Sequence, residues 1–240
     1  MRQRLDKVVT ERGLTSTRSQ AESYIKLGLV EVNGSIVDQP AFMVNNDDHI
    51  SVTSKLQYVS RAGLKLESVS EKLGLDFSGT TVLDVGSSTG GFTDYALKHG
   101  AEYVIAVEIG VDQMHPTLRT DQRIELHEKT DIRDVKKPNR HIDIVVIDVS
   151  FVSLRDILPS VTNLIDKDTK VVAMFKPQFE TSANFRHKGV IKNDKVRRQL
   201  LADFEDWLRS NGLVVLDKAD SSVHGSKGNV ERFYLLSLEP

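Results

Sequence analysis

The sequence predicts an α/β protein with a mostly parallel sheet whose last strand runs antiparallel, preceded by a small α+β unit. Three observations carry this. From Thr81 onward, apolar runs of strand length alternate with helical stretches. The connection Ser221 to Val230 holds Gly225, Gly228 and Asn229 but no helical period. Residues 1–52 carry a separate helix-helix-hairpin pattern. Strands separated by helices build βαβ units and parallel pairs, whereas a short helix-free connection returns the chain antiparallel.

In the first unit, Leu5, Val8 and Val9 recur at helical spacing. A second helix opens at Thr17-Arg18-Ser19-Gln20, a capping box, and should stop at Gly28. Val30 to Val37 then alternates about Asn33-Gly34, a strong hairpin signal because both residues tolerate positive φ. Ile50-Ser51-Val52 adds a further strand. Residues 1–26 hold six Lys or Arg against three acids, and residues 27–60 hold one Lys against four acids, so the positive charge sits on the helices. Charge alone reads as a solvated helix surface. The order Arg4-Leu5-Asp6-Lys7, Thr17-Arg18-Ser19-Gln20-Ala21, Gly28 to Gly34 resembles the RNA-binding domain named after small-subunit ribosomal protein four. That resemblance makes Arg2, Arg4, Arg18 and Lys26 candidate phosphate contacts, which position RNA rather than read its sequence.

Thr53 to Ser60 has no period and reads as a linker, so the domains fall at 1–52 and 61–240. A helix is expected from Arg61 to about Leu73. Strands are expected at Val82–Val85, Tyr103–Val107, Ile124–His127, Ile142–Ile147, Val171–Phe175, Leu213–Leu216 and Phe233–Leu238.

The first of these strands runs into Asp84 and then Gly86-Ser87-Ser88-Thr89-Gly90-Gly91-Phe92. Glycines let a backbone turn sharply beside a ligand, and the following helix offers unpaired N–H groups. A phosphate-cradling NTPase loop needs Lys and then Ser or Thr after its last glycine, where Phe92 and Thr93 stand. A dinucleotide fingerprint needs Gly-x-Gly-x-x-Gly, which the spacing Gly86-x-x-x-Gly90-Gly91 does not meet. Acid-x-Gly-x-x-x-Gly after an apolar strand resembles the first motif of S-adenosylmethionine-dependent methyltransferases. Asp84 and Gly86 through Phe92 are therefore the candidate cofactor-binding residues, against the plainer reading of a turn without ligand.

Ligands of parallel sheets bind beyond the carboxyl ends of the strands. Asp84, Glu108, Asp148 and Lys176 each close an apolar strand, and Glu231 opens the last strand at the same edge if that strand is antiparallel. Glu108 is placed to accept hydrogen bonds from ribose hydroxyls and Asp131 to face an adenine edge, against the plainer reading of each as a solvated loop carboxylate. Lys176 is the sharpest residue: burial disfavours the charged form of a lysine, and a basic amine is what hydroxyl methylation requires. Asp148 and Glu231 would orient it, with Pro177, Phe175 and Phe179 stiffening and drying the site; taken without these neighbours, Lys176 reads as a salt bridge at the sheet rim.

Composition removes other chemistries. No cysteine means no disulfide, thiolate metal site or thiol nucleophile. A net charge of −2 gives no global pull toward nucleic acid. No apolar run approaches the ~20 residues of a bilayer span, and Met1 to Asp6 is too charged for a signal peptide, so a soluble cytoplasmic protein is expected.

Nearly end to end, the chain resembles the TlyA (hemolysin A) family of ribosomal RNA 2′-O-methyltransferases, whose catalytic domain is Rossmann-like and of the FtsJ type. The resemblance rests on Tyr58 to Leu66, Leu83 to Asp94, Ile147-Asp148-Val149-Ser150-Phe151, Phe175-Lys176-Pro177-Gln178-Phe179-Glu180 and Gly228 to Phe233. It implies S-adenosylmethionine as cofactor, ribosomal RNA or ribosomal subunits as partner, no metal, and a tetrad of Lys65, Asp148, Lys176 and Glu231. In that tetrad Lys176 takes the ribose proton, Asp148 and Glu231 orient it, and Lys65 helps place the nucleotide. Ala62, Glu108 and Asp131 depart from the commoner Gly, Asp and Asn, and Thr181 to Lys188 strays from the family's glycine-containing pattern. An ionised Asp131 accepts hydrogen bonds but cannot donate them. A ribosome-binding or assembly factor with a regulatory cofactor site is the alternative reading. Membrane lysis, suggested by the family's name, lacks a spanning or strongly basic amphipathic helix in the sequence.

Overall fold

The structure is a computed structural model that describes residues 2–15, 17–52, 57–181, 190–191, 193–225 and 228–239. The chain forms two compact units, Met1–Arg61 and Ala62–Pro240. Residues 53–56 of the linker stretch and 182–188 of the loop lie outside the described residues.

The first unit runs β1 (Gln3–Arg4), α1 (Leu5–Glu11), α2 (Arg18–Lys26), β2 (Val30–Val32), β3 (Ser35–Ile36), β4 (Met43–Val44) and β5 (Ile50–Val52). Thr17 caps α2, its hydroxyl accepting from Gln20 N at 3.1 Å. Gly28, at φ +69°, ends that helix: its N–H reaches Ile25 O, and the Leu29 N–H reaches Tyr24 O. This is the paired arrangement that satisfies the last helical carbonyls. Asn33 and Gly34 both take positive φ at the tip of the β2–β3 hairpin, and β5 pairs with the other edge of β2. Leu5, Val9, Ile25, Val30 and Val44 make the core of this unit.

The second unit begins with α3 (Arg61–Ser70, its first residue at the boundary) and continues β6 (Thr81–Val85), α4 (Gly91–Lys98), β7 (Tyr103–Val107), α5 (Pro116–Arg119), β8 (Ile124–His127), β9 (Ile144–Ile147), α6 (Leu154–Thr162), β10 (Lys170–Phe175), α7 (Asp194–Ser210), β11 (Leu213–Asp220) and β12 (Arg232–Leu238). The sheet is mixed, in the order β11-β12-β10-β9-β6-β7-β8. Strands β10, β9, β6, β7 and β8 are parallel neighbours, and β12 runs antiparallel to both β10 and β11. The last strand thus returns beside its predecessor, and it also separates that predecessor from β10. β11 is longer than expected, continuing to Asp220 through a bulge between Val215 and Asp217. The strand expected from Ile142 starts at Ile144, and α3 ends at Ser70.

Alternation along the strands assigns the two faces. Leu83, Val85, Val145, Ile147, Val171, Ala173 and Phe175 pack with Leu154, Ile157 and Leu158 of α6 and Leu201, Phe204 and Leu208 of α7. On the opposite face Phe92 of α4 meets Phe233, with ring centroids 6.0 Å apart. β6 has β7 on one side and β9 on the other, so successive connections leave it in opposite directions. The crevice of such a sheet opens beyond the carboxyl ends at that point.

Candidate active site

A cavity of about 440 Å³ opens at this position. Gly86, Ser88, Glu108, Asp131 and Asp148 line it, with apolar walls from Val107, Ile132 and Val149. Four separate segments therefore converge on one hollow, of a size typical of small-molecule sites.

The glycine loop is shaped by close approach. Gly86 has φ +80°, and a Cβ there would lie 2.8 Å from the carbonyl oxygen of Asp148. The N–H groups of Gly86 and Ser87 both reach Val107 O, which ties the loop to β7. Ser88 stands at φ +47° and donates its N–H to Glu108 Oε2 at 2.9 Å. Gly90, at φ +88°, turns the chain into α4. Thr89 takes part through its carbonyl, which accepts from His115 N at 3.2 Å. Of the predicted loop residues, Phe92 is placed differently from the expectation. Its side chain is buried against Phe233, so Phe92 builds the core and leaves only its backbone at the helix start.

Asp84 lies beneath this loop, fully buried. Thr93 Oγ1 donates to its Oδ2 at 2.6 Å, while Oδ1 has no hydrogen-bond partner. Burial pushes this carboxyl up to about 7, opposed by the hydrogen bond from Thr93 and reinforced by the nearby charges of Asp148 and Glu108. Glu108 accepts on both oxygens, from Ser88 N and from Gly110 N at 2.6 Å. Two backbone donors fill half of a carboxylate's four acceptor sites and leave the rest for hydroxyls. Asp131 is held bidentately by Arg133, through Nε at 2.9 Å and Nη2 at 2.6 Å, and accepts the Arg133 N–H as well. Arg133 keeps it below the usual carboxylate range, so it faces the cavity as an acceptor.

The tetrad residues form two close ion pairs. Lys176 Nζ lies 2.5 Å from Asp148 Oδ1 and donates to Ser150 Oγ at 2.9 Å. Lys65 Nζ lies 2.6 Å from Glu231 Oε2, an ion pair by distance without hydrogen-bond alignment. Glu231 thus partners Lys65, whereas the sequence reading set it to orient Lys176. The physical reason is its side of the sheet: Glu231 turns toward α3, where Lys65 waits one turn into the helix. Gly225 makes room for it, since a Cβ there would lie 2.7 Å from Glu231 Oε1. Phe175 also departs from expectation. Adjacent residues of a strand face opposite sides, so with Lys176 at the crevice Phe175 enters the core, 4.9 Å from the Phe204 ring.

Two residues of the run that carries the resemblance are given no role of their own by the sequence. Ser150 supplies the second acceptor for Lys176. Phe151 lines the cavity, is 72% exposed, and takes φ +68°, an outlier for an aromatic residue. Its ring stands 5.2 Å from Phe179, which in turn lies 5.9 Å from Lys176 Nζ. An exposed aromatic held in strained backbone beside polar chemistry is a signature of functional loops. Only the run of residues after Asp148 hints at it in the sequence.

In the first unit, Arg4 and Arg18 converge on Asp6, which is fully buried. Arg4 donates through Nε at 3.0 Å and Nη2 at 2.7 Å, and Arg18 through Nε at 3.1 Å and Nη2 at 2.9 Å. Both arginine side chains stay about half exposed. Lys26 pairs loosely with Glu22 at 3.9 Å, and Arg2 is exposed. Among the described residues no cluster of three potential metal ligands occurs, and no helix is long and apolar enough to cross a membrane.

Comparison with known proteins agrees with this geometry. The profile of FtsJ-like methyltransferases matches residues 58–238, and that of the S4 domain matches residues 3–50. The chain is 37% identical to Hemolysin A of Brachyspira hyodysenteriae over 95% of its length and 97% of that protein. It is 36% identical to the 23S rRNA (cytidine-2′-O)-methyltransferase TlyA of Campylobacter jejuni, over 96% of this chain and 98% of that one. Among solved structures, one described as a candidate hemolysin from Streptococcus thermophilus superposes with a TM-score of 0.78 at 32% identity, covering 99% of this chain and 89% of the other.

Proposed function

The chain belongs to the FtsJ-like methyltransferase family, S-adenosylmethionine-dependent enzymes acting on RNA, and from that premise we propose that it methylates a ribose 2′-hydroxyl of ribosomal RNA with Lys176 as the general base. The observation that carries this reading is the Lys176 amine held by Asp148 and Ser150, two residues that line the cavity. Relatives named as ribosomal RNA methyltransferases support the substrate class.

The cavity residues fit the cofactor. Gly86 and Ser88 would flank its aminoacyl part, Glu108 would accept from the ribose hydroxyls, and Asp131 would accept from the adenine amino group, between the apolar walls of Ile132 and Val149. Asp84, fully buried beneath the same loop with Oδ1 unpaired, would favour a cationic ligand through its charge rather than by contact. When bound, the cofactor supplies an electrophilic methyl group on a sulfonium.

Lys176 accepts the proton of the ribose hydroxyl as the oxygen is methylated. Asp148 then faces the resulting ammonium at ion-pair distance, and Ser150 fixes its direction. Proton removal by a positioned base contributes roughly 10²–10⁴-fold. Lys65, itself held by Glu231, presents a second cation for the phosphodiester beside the target ribose. Phe151 offers a face on which the target base can stack. The S4-type unit, with Arg4 and Arg18 projecting from Asp6, would grip ribosomal RNA or a ribosomal subunit through its phosphates. Such a substrate places the work of the protein in the cytoplasm.

Transfer of labelled methyl from S-adenosylmethionine to purified ribosomal subunits tests this directly. Lys176→Ala is expected to lower kcat by about 10³-fold while the cofactor Kd stays within about twofold, in line with the loss of a general base. Equal incorporation by that variant removes Lys176 from the mechanism. Binding of subunits and cofactor without any methyl transfer replaces the enzyme with a ribosome-binding factor.

A further inference from the structure

Glu180 is a buried carboxylate with no part in the reaction just described. It follows the short turn Pro177–Phe179 that leads away from Lys176, and its side chain is 1% exposed. Its Oε1 accepts from the backbone N–H of Leu154 at 2.7 Å. Its Oε2 accepts from the Ser153 hydroxyl at 2.5 Å and from Arg155 Nη1 at 3.1 Å. Arg155 in turn lies over the Phe204 ring of α7, 5.3 Å from its centroid. Ser153, Leu154 and Arg155 sit at the start of α6, immediately after the loop that carries Asp148, Ser150 and Phe151.

This contact lies where sheet pairing has run out. β9 and β10 stay in register only as far as Ile147 and Ala173. Beyond that point the loop after β9 and the turn after β10 must still bring Lys176 Nζ to 2.5 Å from Asp148 and 2.9 Å from Ser150. A carboxylate buried this deeply is costly to desolvate unless fixed partners surround it. Its inaccessibility also prevents it from touching cofactor or RNA.

We propose that Glu180 is a positioning residue for methyl transfer: by tying the turn after Lys176 to the helix start after the Asp148 loop, it holds the Lys176 amine against Asp148 and Ser150. The proposal rests on the reading of Lys176 as the base. Glu180→Gln keeps the side-chain shape and one acceptor but removes the charge that Arg155 and Ser153 address. Because misplacement by about 1 Å can cost ~10²-fold in rate, kcat is expected to fall about 30-fold, with the KM for ribosomal subunits and the Kd for S-adenosylmethionine within about twofold of wild type. In protein labelled with ¹³C at lysine Cε, the Lys176 resonance is expected to shift in Glu180→Gln without RNA present, while Lys7 and Lys26 of the first unit stay put. Ser153→Ala, which removes the hydroxyl donor to Glu180, is expected to lower kcat less and in the same way, and it serves as the test if Glu180→Gln fails to fold. Wild-type kcat in both variants overturns the proposal, and so does a loss in which the cofactor Kd rises in step. If wild-type protein transfers no methyl to ribosomal RNA, the functional reading falls, and the lysine spectra still decide the structural claim: an unmoved Lys176 resonance overturns it.

Discussion

Asp6 and Asp84 are both fully buried carboxylates, one in each unit, and their surroundings push them in opposite directions. Arg4 holds Asp6 below the usual carboxylate range, against burial and with help from Arg18. Asp84 is met only by Thr93, through its hydroxyl and its backbone, and burial drives it up to about 7. The difference lies in compensation. A buried carboxylate ringed by guanidinium groups is satisfied and organises its neighbours, whereas one left with an empty acceptor and two acids nearby has a vacancy for positive charge. The first carboxylate builds a surface, and the second marks a crevice that a sulfonium-bearing ligand would relieve.

The largest effect expected from this contrast is on stability against pH. The folded-state value of Asp84 is raised, so its neutral form is at home in the fold, and its ionised form is not. Its contribution is fully present below the ordinary carboxylate value near 4 and is lost as pH rises through about 7. At about 1.4 kcal/mol per pH unit the loss amounts to roughly 4 kcal/mol. Urea unfolding of wild type and Asp84→Asn between pH 4 and 8 isolates it: the wild type should lose stability relative to the variant across that window. Parallel curves would remove Asp84 from the contrast. Cofactor binding should carry the matching sign, since a cationic ligand favours the ionised carboxylate. Affinity for S-adenosylmethionine should rise up to pH 7 in wild type and stay flat in Asp84→Asn, as calorimetry can read.

The next effect compares one added methyl group in each unit. Gly86 and Gly34 share a left-handed backbone, at φ +80° and +79°. A Cβ on Gly86 meets the Asp148 carbonyl at 2.8 Å, while one on Gly34 meets nothing within 4 Å. Gly34→Ala is expected to cost only the backbone strain, about 1 kcal/mol, with methyl transfer unchanged. Gly86→Ala adds displacement of the Asp148 segment, and kcat/KM is expected to fall about 10²-fold. Similar activities for the two variants would show that the approach of loop to Asp148 is not needed for chemistry.

Much of this was legible in the sequence because it is local. The Thr17 cap, the Gly28 stop and the Asn33-Gly34 turn each depend on a few neighbouring residues, and the strand-end positions of Asp84, Glu108, Asp148 and Lys176 follow from apolar runs that stop abruptly. The face of Phe175 was legible too, from strand alternation with Lys176, although its aromatic character suggested a drying role. What could not be read is pairing across long separations. Glu231 meets Lys65 from 166 positions away and Glu180 meets Ser153 from 27, and nothing in either local run specifies the partner. The φ of Phe151 is likewise imposed by its surroundings, since no residue preference would put an aromatic there.

The smallest effect tests the satisfied half of the contrast. If Arg4 and Arg18 meet phosphates, Asp6 holds them together for it, and removing its charge should disperse them. Asp6→Asn makes the unit more basic, so charge counting alone predicts tighter RNA binding. Positioning predicts the reverse: affinity for ribosomal RNA about threefold weaker, with a shallower dependence on salt because fewer phosphates are met together. Because the folded-state value of Asp6 is depressed, its stabilising contribution is present above the ordinary carboxylate value and lost as pH falls below it. The melting temperature of the variant should therefore sit roughly 5 °C below wild type at pH 7 and converge with it toward pH 3. Tighter RNA binding by Asp6→Asn would make the two arginines independent surface charges, and the buried carboxylate between them a matter of folding alone.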